Sequence, residues 1–481
     1  MLKNIFLLLL LTTTLSAQQK PNILFVLSDD HTAQAWGIYG GVLSDFVKND
    51  HIRQLANDGV VLDNMFCTNS ICVPSRASIL TGQYSHQNGV YVLSDSLEPT
   101  VRTLAHEMKD GGYQTALIGK WHLKKEPSGF DYYMVLPGQG RYHNPLLKTA
   151  DNWQDGHRGG REYKGYVDDV ITDQALTWLK ERQDDKPFFL CTQFKATHEP
   201  FDYPERYNDY LEEVDLPFPE GLHEDLQQSG KTHLGWPLEI LGERFEKFAG
   251  GRYPGRPFSL EGLDQQAARE KTYQKFVKDF LRAGAAIDDQ LGKLISYLKE
   301  AGLYENTLII YTSDQGYFLG EHGFFDKRFM YEPSLRMPTV IKPPYAINKG
   351  RRVEDMLLNI DFAPTMLAMA GIKAPAYMQG INFKSILSNQ VDADYSPRSQ
   401  FYYRYWTNDD QRPAHYGIRT GQHKLIYFYG LGDKSAWELY DLISDPNERN
   451  NIYPALQNES WVMLLKEALY EAQKQVGDKD L

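Results

Sequence analysis

The sequence predicts an α/β fold, in which a large, mostly parallel sheet is sandwiched by helices and followed by a smaller C-terminal antiparallel sheet with one helix. Short apolar runs rich in β-branched and aromatic residues alternate with amphipathic stretches of helical spacing, which is typical of a sheet covered on both faces. From about residue 396 the runs become short and aromatic, which indicates antiparallel strands. The chain has 481 residues, enough for both parts.

Each predicted element follows from its local pattern. Brief, apolar, β-rich runs predict buried strands, and apolar positions at helical spacing predict helices. The predicted strands of the large sheet are residues 22–28, 114–118, 187–194 and 307–312, with helices at 101–110, 170–183 and 271–301 and a final strand and helix at 337–343 and 359–371. The predicted C-terminal strands are 400–406, 416–420, 424–429 and 437–441, with a helix at 460–473. Two polar segments, 139–165 and 205–262, are predicted to be irregular, and the first to be surface loop.

The N-terminus has the layout of a secretory signal. Residues 1–17 carry Lys3, then an apolar run, then the small residue Ala17, so we expect a mature start near Gln18. The run is too short to span a bilayer, no cysteine follows it for lipid attachment, and no later segment is long and apolar enough. We therefore expect a secreted or periplasmic protein with no membrane anchor, the alternative being a buried N-terminal helix. We predict domains at 18–390 and 391–481.

The net charge limits which partners the protein can bind, and the cysteine content limits how far disulfides can stabilise it. The formal net charge of −12 argues against a nucleic-acid partner and gives no long-range attraction for a polyanion, so any anion must be captured by a few local cations. The three cysteines, Cys67, Cys72 and Cys191, are too few for a disulfide framework. If Cys72 is consumed chemically, Cys67 and Cys191 could pair or remain buried thiols, and both alternatives stay open.

Polar clusters follow four of the predicted strands where each strand ends. They are Asp29-Asp30-His31, Gly119-Lys120-Trp121-His122, Thr197-His198-Glu199-Pro200 and Ser313-Asp314-Gln315-Gly316. Because ligands bind beyond the carboxyl ends of parallel strands, we expect these clusters to form one site. Four side-chain oxygens suit a hard divalent cation, and no Cys/His set suits zinc. The alternative is structural: the aspartates cap a helix and the Asp-Gln-Gly segment makes a turn.

One further segment, residues 72–82, carries a motif that is more specific than the polar clusters. Cys72-Val73-Pro74-Ser75-Arg76, continuing to Gly82, closely resembles the signature of the formylglycine-dependent type I sulfatases of the alkaline phosphatase superfamily. The resemblance extends from Pro21 to Pro446 and implies an alkaline phosphatase-like fold with the catalytic domain at 18–390. In that family a separate maturation enzyme oxidises the cysteine to formylglycine. The alternative is a buried thiol at a helix start with Pro74 in the first turn.

The resemblance also implies a ligand set and a catalytic set. Asp29, Asp30, Asp314 and Gln315, with an oxygen of the modified residue 72, correspond to the ligands of one Ca²⁺ ion. Many family members have Asn at the position of Gln315. The catalytic residues that the resemblance implies are Cys72, Arg76, Lys120, His122, His198 and Lys327.

The roles follow from what the reaction needs. Attack on a sulfate ester concentrates negative charge on the sulfuryl oxygens and the leaving oxygen, and cations must stabilise that charge. Lys120 and Lys327 can neutralise the sulfuryl oxygens, and the forked donors of Arg76 can hold the hydrated aldehyde. The resemblance implies that His198 protonates the leaving oxygen. His122 then removes a proton from the second hydroxyl, so the adduct expels sulfate and regenerates the aldehyde.

The substrate has to be inferred from the loops. Arg141, His143, His322 and Arg328 are candidate substrate-binding residues. The resemblance to secreted bacterial polysaccharide sulfatases implies a sulfated oligosaccharide or polysaccharide, and we favour algal ulvan, attacked at the end of an oligosaccharide, over carrageenan or glycosaminoglycans. Two other functions are alternatives to a carbohydrate sulfatase. One is a phosphate or phosphonate ester hydrolase of the same superfamily, and the other is a carbohydrate-binding relative without catalysis.

Overall fold

The structure is a computed structural model that describes residues 20–233, 235–248, 251–255, 257–346, 349–388, 395–409, 411–429 and 436–479. The predicted signal at 1–17, the start near Gln18 and the domain boundary at 390/391 lie outside these residues, so they stay predictions. None of the described helices has both the length and the apolar character needed to cross a membrane.

The described residues contain eighteen strands: β1 (Asn22–Asp29), β2 (Val60–Leu62), β3 (Met65–Phe66), β4 (Gln114–Lys120), β5 (Tyr132–Leu136), β6 (Leu146–Leu147), β7 (Arg161–Glu162), β8 (Phe188–Thr197), β9 (Thr307–Ser313), β10 (Phe318–Leu319), β11 (Phe325–Asp326), β12 (Thr339–Lys342), β13 (Arg351–Val353), β14 (Leu357–Leu358), β15 (Gln400–Tyr405), β16 (His415–Thr420), β17 (His423–Phe428) and β18 (Ala436–Asp441).

The α-helices of the same residues are α1 (Asp50–Asp58), α2 (Cys72–Thr81), α3 (Ser85–Asn88), α4 (Leu104–Asp110), α5 (Val167–Glu181), α6 (Leu238–Lys247), α7 (Gln265–Glu300), α8 (Glu332–Leu335), α9 (Phe362–Met369), α10 (Lys384–Ser388), α11 (Tyr453–Leu456) and α12 (Ser460–Val476). The 3-10 helices span Ala33–Ala35, Ser44–Phe46, Ala150–Asn152, Glu205–Tyr207, Glu321–Gly323 and Asn359–Asp361.

The main sheet has eight strands in the order β13-β2-β12-β9-β1-β8-β4-β5. Its centre is parallel: β1 pairs with β8 and β9, and β4 pairs with β8 and β5. Only β12, among the described strands of this sheet, runs against its neighbours, pairing antiparallel with β9 and β2. The predicted mostly parallel sheet is therefore confirmed, although the run at 337–343 forms a reversed strand.

The main sheet is covered on both faces, as its apolar strands predict. Alternate residues of β1 pack into two separate cores, Ile23 and Phe25 into one and Leu24 and Val26 into the other. Helices α2, α4 and α9 contribute to the first core, and α1, α5 and α7 to the second. Asp264 caps α7 by accepting from the backbone N–H of Ala267 at 2.8 Å.

The C-terminal part is the predicted antiparallel sheet with one helix. Strands β15, β16, β17 and β18 follow each other as a meander. Helix α12 buries Val462, Leu465 and Leu469 at helical spacing, and these residues belong to the same core as the first face of the main sheet. This shared core fixes the small sheet against the large one.

The two segments predicted to be irregular contain short elements. Residues 139–165 include the pair β6 and β7, and residues 205–262 include helix α6. The helix was missed because Pro and Gly surround it, although its own ten residues follow Pro237, which suits a helix start. Cys67 and Cys191 are free, buried thiols, so they do not pair.

Candidate active site

Three aspartates meet at the carboxyl edge of the main sheet. Asp29 is the last residue of β1, Asp30 follows it, and Asp314 follows β9. One ligand oxygen from each lies within 4.8 Å of the others, and all three side chains are fully buried. The backbone N–H of Asp30 donates to Asp314 Oδ1 at 3.1 Å. The predicted convergence of these strand ends is what brings the carboxylates together.

The cluster has the donor set of a hard-cation site. Gln315 donates through Nε2 to Asp30 Oδ1, while Gln315 Oε1 and Asp29 Oδ1 find no hydrogen-bond partner among the described residues. Burial raises the pKa of Asp30 to about 6, with Lys327 opposing that effect and Asp314 adding to it. Buried oxygens that lack a donor, crowded with like charges, fit a divalent cation such as Ca²⁺.

Cys72 lies beside this cluster at the first residue of α2. Its side chain is 1% exposed, and its Sγ atom lies within 4.8 Å of ligand atoms of Asp29 and His198. Burial raises the pKa of the Cys72 thiol to about 12, although Lys327 acts in the opposite direction. The unmodified thiol is therefore protonated at neutral pH and is a poor nucleophile in its own right.

Arg76, one turn along α2, joins the strand ends. Its Nε donates to Asp314 Oδ2 at 2.9 Å. Its Nη1 donates to Gln193 Oε1 at 2.7 Å and to the carbonyl of Lys120 at 3.0 Å. The planar fork thus contacts residues at the ends of β9, β8 and β4, which a lysine in this position could not do. Arg76 itself is buried, so these bonds hold the helix start in place.

Two lysines pair with the carboxylates. Lys120, at the end of β4, contacts Asp29 and donates to Gln139 Oε1 at 2.6 Å. Lys327, after β11, donates to both oxygens of Asp30 at 2.7 and 2.6 Å. Burial lowers the pKa of Lys327, but Asp30, Cys72 and Asp326 together outweigh burial and raise it overall, so this lysine is charged. Burial holds the pKa of Lys120 well below its ordinary value. The site therefore places one lysine beside Asp29 and a second, charged lysine beside Asp30.

Two histidines complete the predicted set. His198 follows β8, and its Nδ1 lies 2.7 Å from the carbonyl oxygen of Glu199. Because a carbonyl only accepts, Nδ1 carries the proton and Nε2 is the basic atom of the neutral ring. Burial and then the charge of Lys120 hold the pKa of His198 and of His122 well below the ordinary value.

A cleft of about 350 Å³ opens above these groups. Asp30, Cys72, His198, Lys327 and Arg328 line it, so a ligand in the cleft reaches the strand-end cluster. A larger surface cleft of about 930 Å³ contains none of them. The smaller cleft is the candidate active site because the cations and the nucleophile position lie in it.

Of the four residues predicted to bind substrate, only Arg328 lines the cleft. Arg141 points to solvent and pairs with Glu162 at 3.2 Å. His143 pairs with Asp202 at 3.2 Å. His322 is buried and bonds to Glu224 at 2.8 Å.

Arg141, His143 and His322 therefore do not line the cleft. The segment 139–165 begins at the cleft, where Gln139 contacts Lys120, but its later residues form the surface pair β6 and β7, and His322 is buried.

Sequence reasoning missed several residues that the fold brings to the site. Gln193 bonds to Arg76, and a glutamine in the apolar run of β8 was a signal that could have been used. Gln139 contacts Lys120. The buried residues Leu238, Leu241 and Phe245 have helical spacing, which was a signal for α6. Trp236, Arg244 and Arg252 line the cleft from this helix and its flanks. No local sequence signal identifies these last three.

A sulfatase family model matches residues 21–372. The chain belongs to the sulfatase family. This sulfatase also matches, over residues 320–475, a model described as the C-terminal part of N-sulphoglucosamine sulphohydrolase. The predicted family and the predicted fold class are both confirmed.

Known relatives of this sulfatase cover nearly all of it. It is 36% identical to an N-acetylglucosamine-6-O-sulfatase from Bacteroides thetaiotaomicron, over 96% of this chain and 88% of the relative. An ulvan-active sulfatase from Formosa agariphila is 26% identical, over 92% of this chain and 79% of that protein. A solved relative in complex with its substrate, D-glucosamine-2-N,6-O-disulfate, superposes with a TM-score of 0.83 at 35% identity, covering 96% of this chain and 99% of the other.

Proposed function

We propose that this sulfatase removes an O-sulfate from a sulfated carbohydrate through a formylglycine made from Cys72, beside one calcium ion. The observation that carries the proposal is the placement of Cys72 among three buried aspartates and two lysines at the floor of a cleft. Catalysis of this kind needs positive charge arranged in advance around the sulfuryl group. The maturation enzyme that oxidises Cys72 is part of the proposal.

We favour a 6-O-sulfated amino sugar as the substrate. The relative named N-acetylglucosamine-6-O-sulfatase shares 36% identity with this chain, whereas the ulvan-active relative shares 26%. Ulvan, the expectation from the sequence, is therefore the second candidate. The small volume of the cleft, about 350 Å³, favours a sugar at the end of an oligosaccharide over one within a long chain.

When formed, the hydrated aldehyde at residue 72 supplies one hydroxyl to attack sulfur and a second from which the adduct can collapse. Residues of the chain do the rest. Arg76 is placed to hold the N-terminus of α2 in register with the strand ends, because its fork bonds to three of them. Residue 72 begins the ten-residue helix α2, whose dipole favours developing negative charge there.

The charge of a bound calcium ion would make the site favourable for an anionic substrate. Three acidic side chains, Asp29, Asp30 and Asp314, pair with three basic ones, Lys120, Lys327 and Arg76. A calcium ion held by the aspartates and Gln315 would add two positive charges and release the lysines toward the sulfate oxygens. The two lysines would then neutralise the oxygens that are not being displaced.

The histidines have separate tasks in this proposal. His198 lines the cleft with Nδ1 bonded to the carbonyl of Glu199, so Nε2 is the atom that would take up a proton from solvent and then donate it to the leaving sugar oxygen. Burial first, and then Lys120 and Lys327, lower the pKa of His198, and the negative charge of a bound sulfate ester would raise it and favour protonation of Nε2. His122 accepts a proton from residue 72 in the second half of the reaction.

The decisive experiment uses protein proven to contain formylglycine and a panel of defined oligosaccharides, including 6-O-sulfated glucosamine and ulvan fragments. Liberated sulfate is the readout, and the Cys72→Ala variant is the control for contaminating activity. Release from 6-O-sulfated amino sugars is expected. Release only from ulvan fragments would replace the favoured substrate with the second candidate, and binding without release from any sugar would support the non-catalytic alternative.

The phosphate or phosphonate ester alternative is tested with paired aryl substrates. The proposal expects a much larger kcat/KM for aryl sulfate than for the matching aryl phosphate or phosphonate. The reverse order would overturn it. We also propose that residues 1–17 direct secretion or export to the periplasm, which N-terminal sequencing of the mature protein tests.

A further inference from the structure

The outer wall of the active-site cleft is built by a segment that the proposed chemistry does not use. Trp236, Arg244, Phe248 and Arg252 line the cleft and come from α6 and the residues on either side of it. They lie above the strand-end cluster that includes Lys327. A ligand whose sulfate reaches Lys327 would therefore place its other substituents near this wall.

Two guanidinium groups of the wall share a single carboxylate. Arg244 Nη1 donates to both oxygens of Glu199 at 3.1 Å, and Arg252 Nη2 donates to Glu199 Oε1 at 3.2 Å. Within these three residues one positive charge remains uncompensated. Throughout the described part of the chain, the other guanidinium nitrogens of Arg244 and Arg252 find no acceptor. The wall thus offers forked donors to a second anion.

Packing contacts connect this wall to the strand that precedes Lys327. Arg244 packs over the Trp236 ring at 4.6 Å, and Trp236 stacks on Phe325 at 5.1 Å between ring centres. Phe325 and Asp326 form β11, directly before Lys327. Tyr253 donates to Glu199, which fixes the shared carboxylate from the other side. These contacts connect both arginines, through Glu199 and Trp236, to the segment that carries Lys327, which suits a specificity subsite.

The exposure of the pair suits a substrate contact. The side chain of Arg244 is 26% exposed and that of Arg252 is 53% exposed, while Glu199 is 13% exposed. The chain as a whole carries a net charge of −12, so it repels polyanions at long range and needs local cations to hold one. Two arginines with spare donors at the cleft mouth provide such a local site.

We propose that Arg244 and Arg252 form a subsite for a second anionic group on the substrate, beyond the sulfate that is hydrolysed. This subsite rests on the proposed function, because it requires a carbohydrate sulfate in the cleft. The group is an oxyanion on the same sugar, such as an N-sulfate, or on the adjoining sugar, such as a uronate carboxylate. A solved relative is bound to a substrate with two sulfates, which is consistent with this chemistry.

The test compares formylglycine-containing wild-type enzyme with Arg252→Gln on three substrates: glucosamine 6-O-sulfate, glucosamine 2-N,6-O-disulfate, and a 6-O-sulfated glucosamine linked to a uronate. We expect Arg252→Gln to lose at least about tenfold more kcat/KM on one of the dianionic substrates than on the monosulfate, chiefly through KM. Tenfold corresponds to about 1.4 kcal/mol. Whichever dianionic substrate is affected identifies the source of the second anion.

The matched control is Arg102→Gln, which removes an exposed arginine paired with Glu107 far from the cleft lining. Both variants should melt at the wild-type temperature, since both side chains are about half exposed. Equal losses of kcat/KM on all three substrates, or no loss on any, would overturn the subsite. Wild-type enzyme that cleaves an aryl sulfate but none of the three sugars would overturn the carbohydrate substrate and the subsite with it.

Discussion

Replacing Tyr403 by phenylalanine should reduce turnover, although Tyr403 lies outside the cleft lining. Tyr403 belongs to β15 of the small sheet, yet its hydroxyl accepts from the backbone N–H of Ser70 at 3.1 Å and donates to the carbonyl of Arg328. Ser70 comes two residues before Cys72, and Arg328 directly follows Lys327. One hydroxyl of the C-terminal sheet therefore ties the nucleophile position to a catalytic lysine.

The magnitude follows from the two bonds. Tyr403→Phe leaves a buried N–H and a buried carbonyl without this partner, which costs about 1–3 kcal/mol each. The free energy of unfolding should fall by about 2–6 kcal/mol. A shift of the catalytic groups by about 1 Å can cost roughly a hundredfold in rate. We therefore expect kcat to fall by about 10–100-fold with a smaller change in KM, measured on an aryl sulfate.

Tyr402→Phe is the matched control. Tyr402 is the neighbouring residue of β15 and points to the opposite face, where its hydroxyl donates to Asp478 at 2.6 Å. The same atom is removed from an equally buried tyrosine, so the loss of stability should be similar, while kcat should stay within about twofold of wild type. Equal kcat for the two folded variants would refute the positioning role of Tyr403.

Three further predictions follow from the site and its surroundings. Exhaustive chelation should abolish sulfate release and lower the melting temperature, and calcium at about 100 times its Kd should restore both, adding about 2.7 kcal/mol of stability; full activity in metal-free protein would contradict the cation site. Lys327→Met removes a charge that pairs with Asp30, so kcat/KM should fall by about 10²–10³-fold in steady-state kinetics, and a loss below about threefold would argue against its role. Burial lowers the pKa of His415 to about 4 from an unfolded value of 6.5, so below pH 6.5 the unfolded chain binds a proton that the folded chain does not, and stability falls as pH drops toward 4. His415→Asn should remove up to about 3 kcal/mol of that pH dependence in urea unfolding, and an unchanged slope would refute the assignment.

The residues at the floor of the cleft could be predicted to lie together because they end or follow strands of the main sheet. Asp30, Lys120, His198 and Asp314 each follow or end a buried apolar run, and parallel strands bring such positions to one edge by geometry alone. The resemblance added Cys72, whose role no periodicity reveals. The same logic gave the antiparallel C-terminal sheet, since its runs are short and aromatic.

The cleft wall could not be predicted in this way. Arg244 lies on α6, whose apolar residues have helical spacing, but that spacing does not say what the helix packs against. The position of Arg244 depends on stacking with Trp236, which itself stacks on Phe325 far along the chain. The place of Arg141 also depends on the tertiary structure: Gln139, two residues earlier, contacts Lys120, whereas Arg141 pairs with Glu162 at the surface. The antiparallel direction of β12 could not be predicted either, because an apolar run predicts a buried strand but not the direction in which it pairs.

The most direct test of the account is the mass of the peptide that contains residue 72, taken from turnover-competent enzyme. The account predicts that this residue has lost sulfur and two hydrogens and gained one oxygen relative to cysteine, and that the converted fraction scales with specific activity across preparations. Fully active enzyme whose peptide carried only the intact thiol would contradict it.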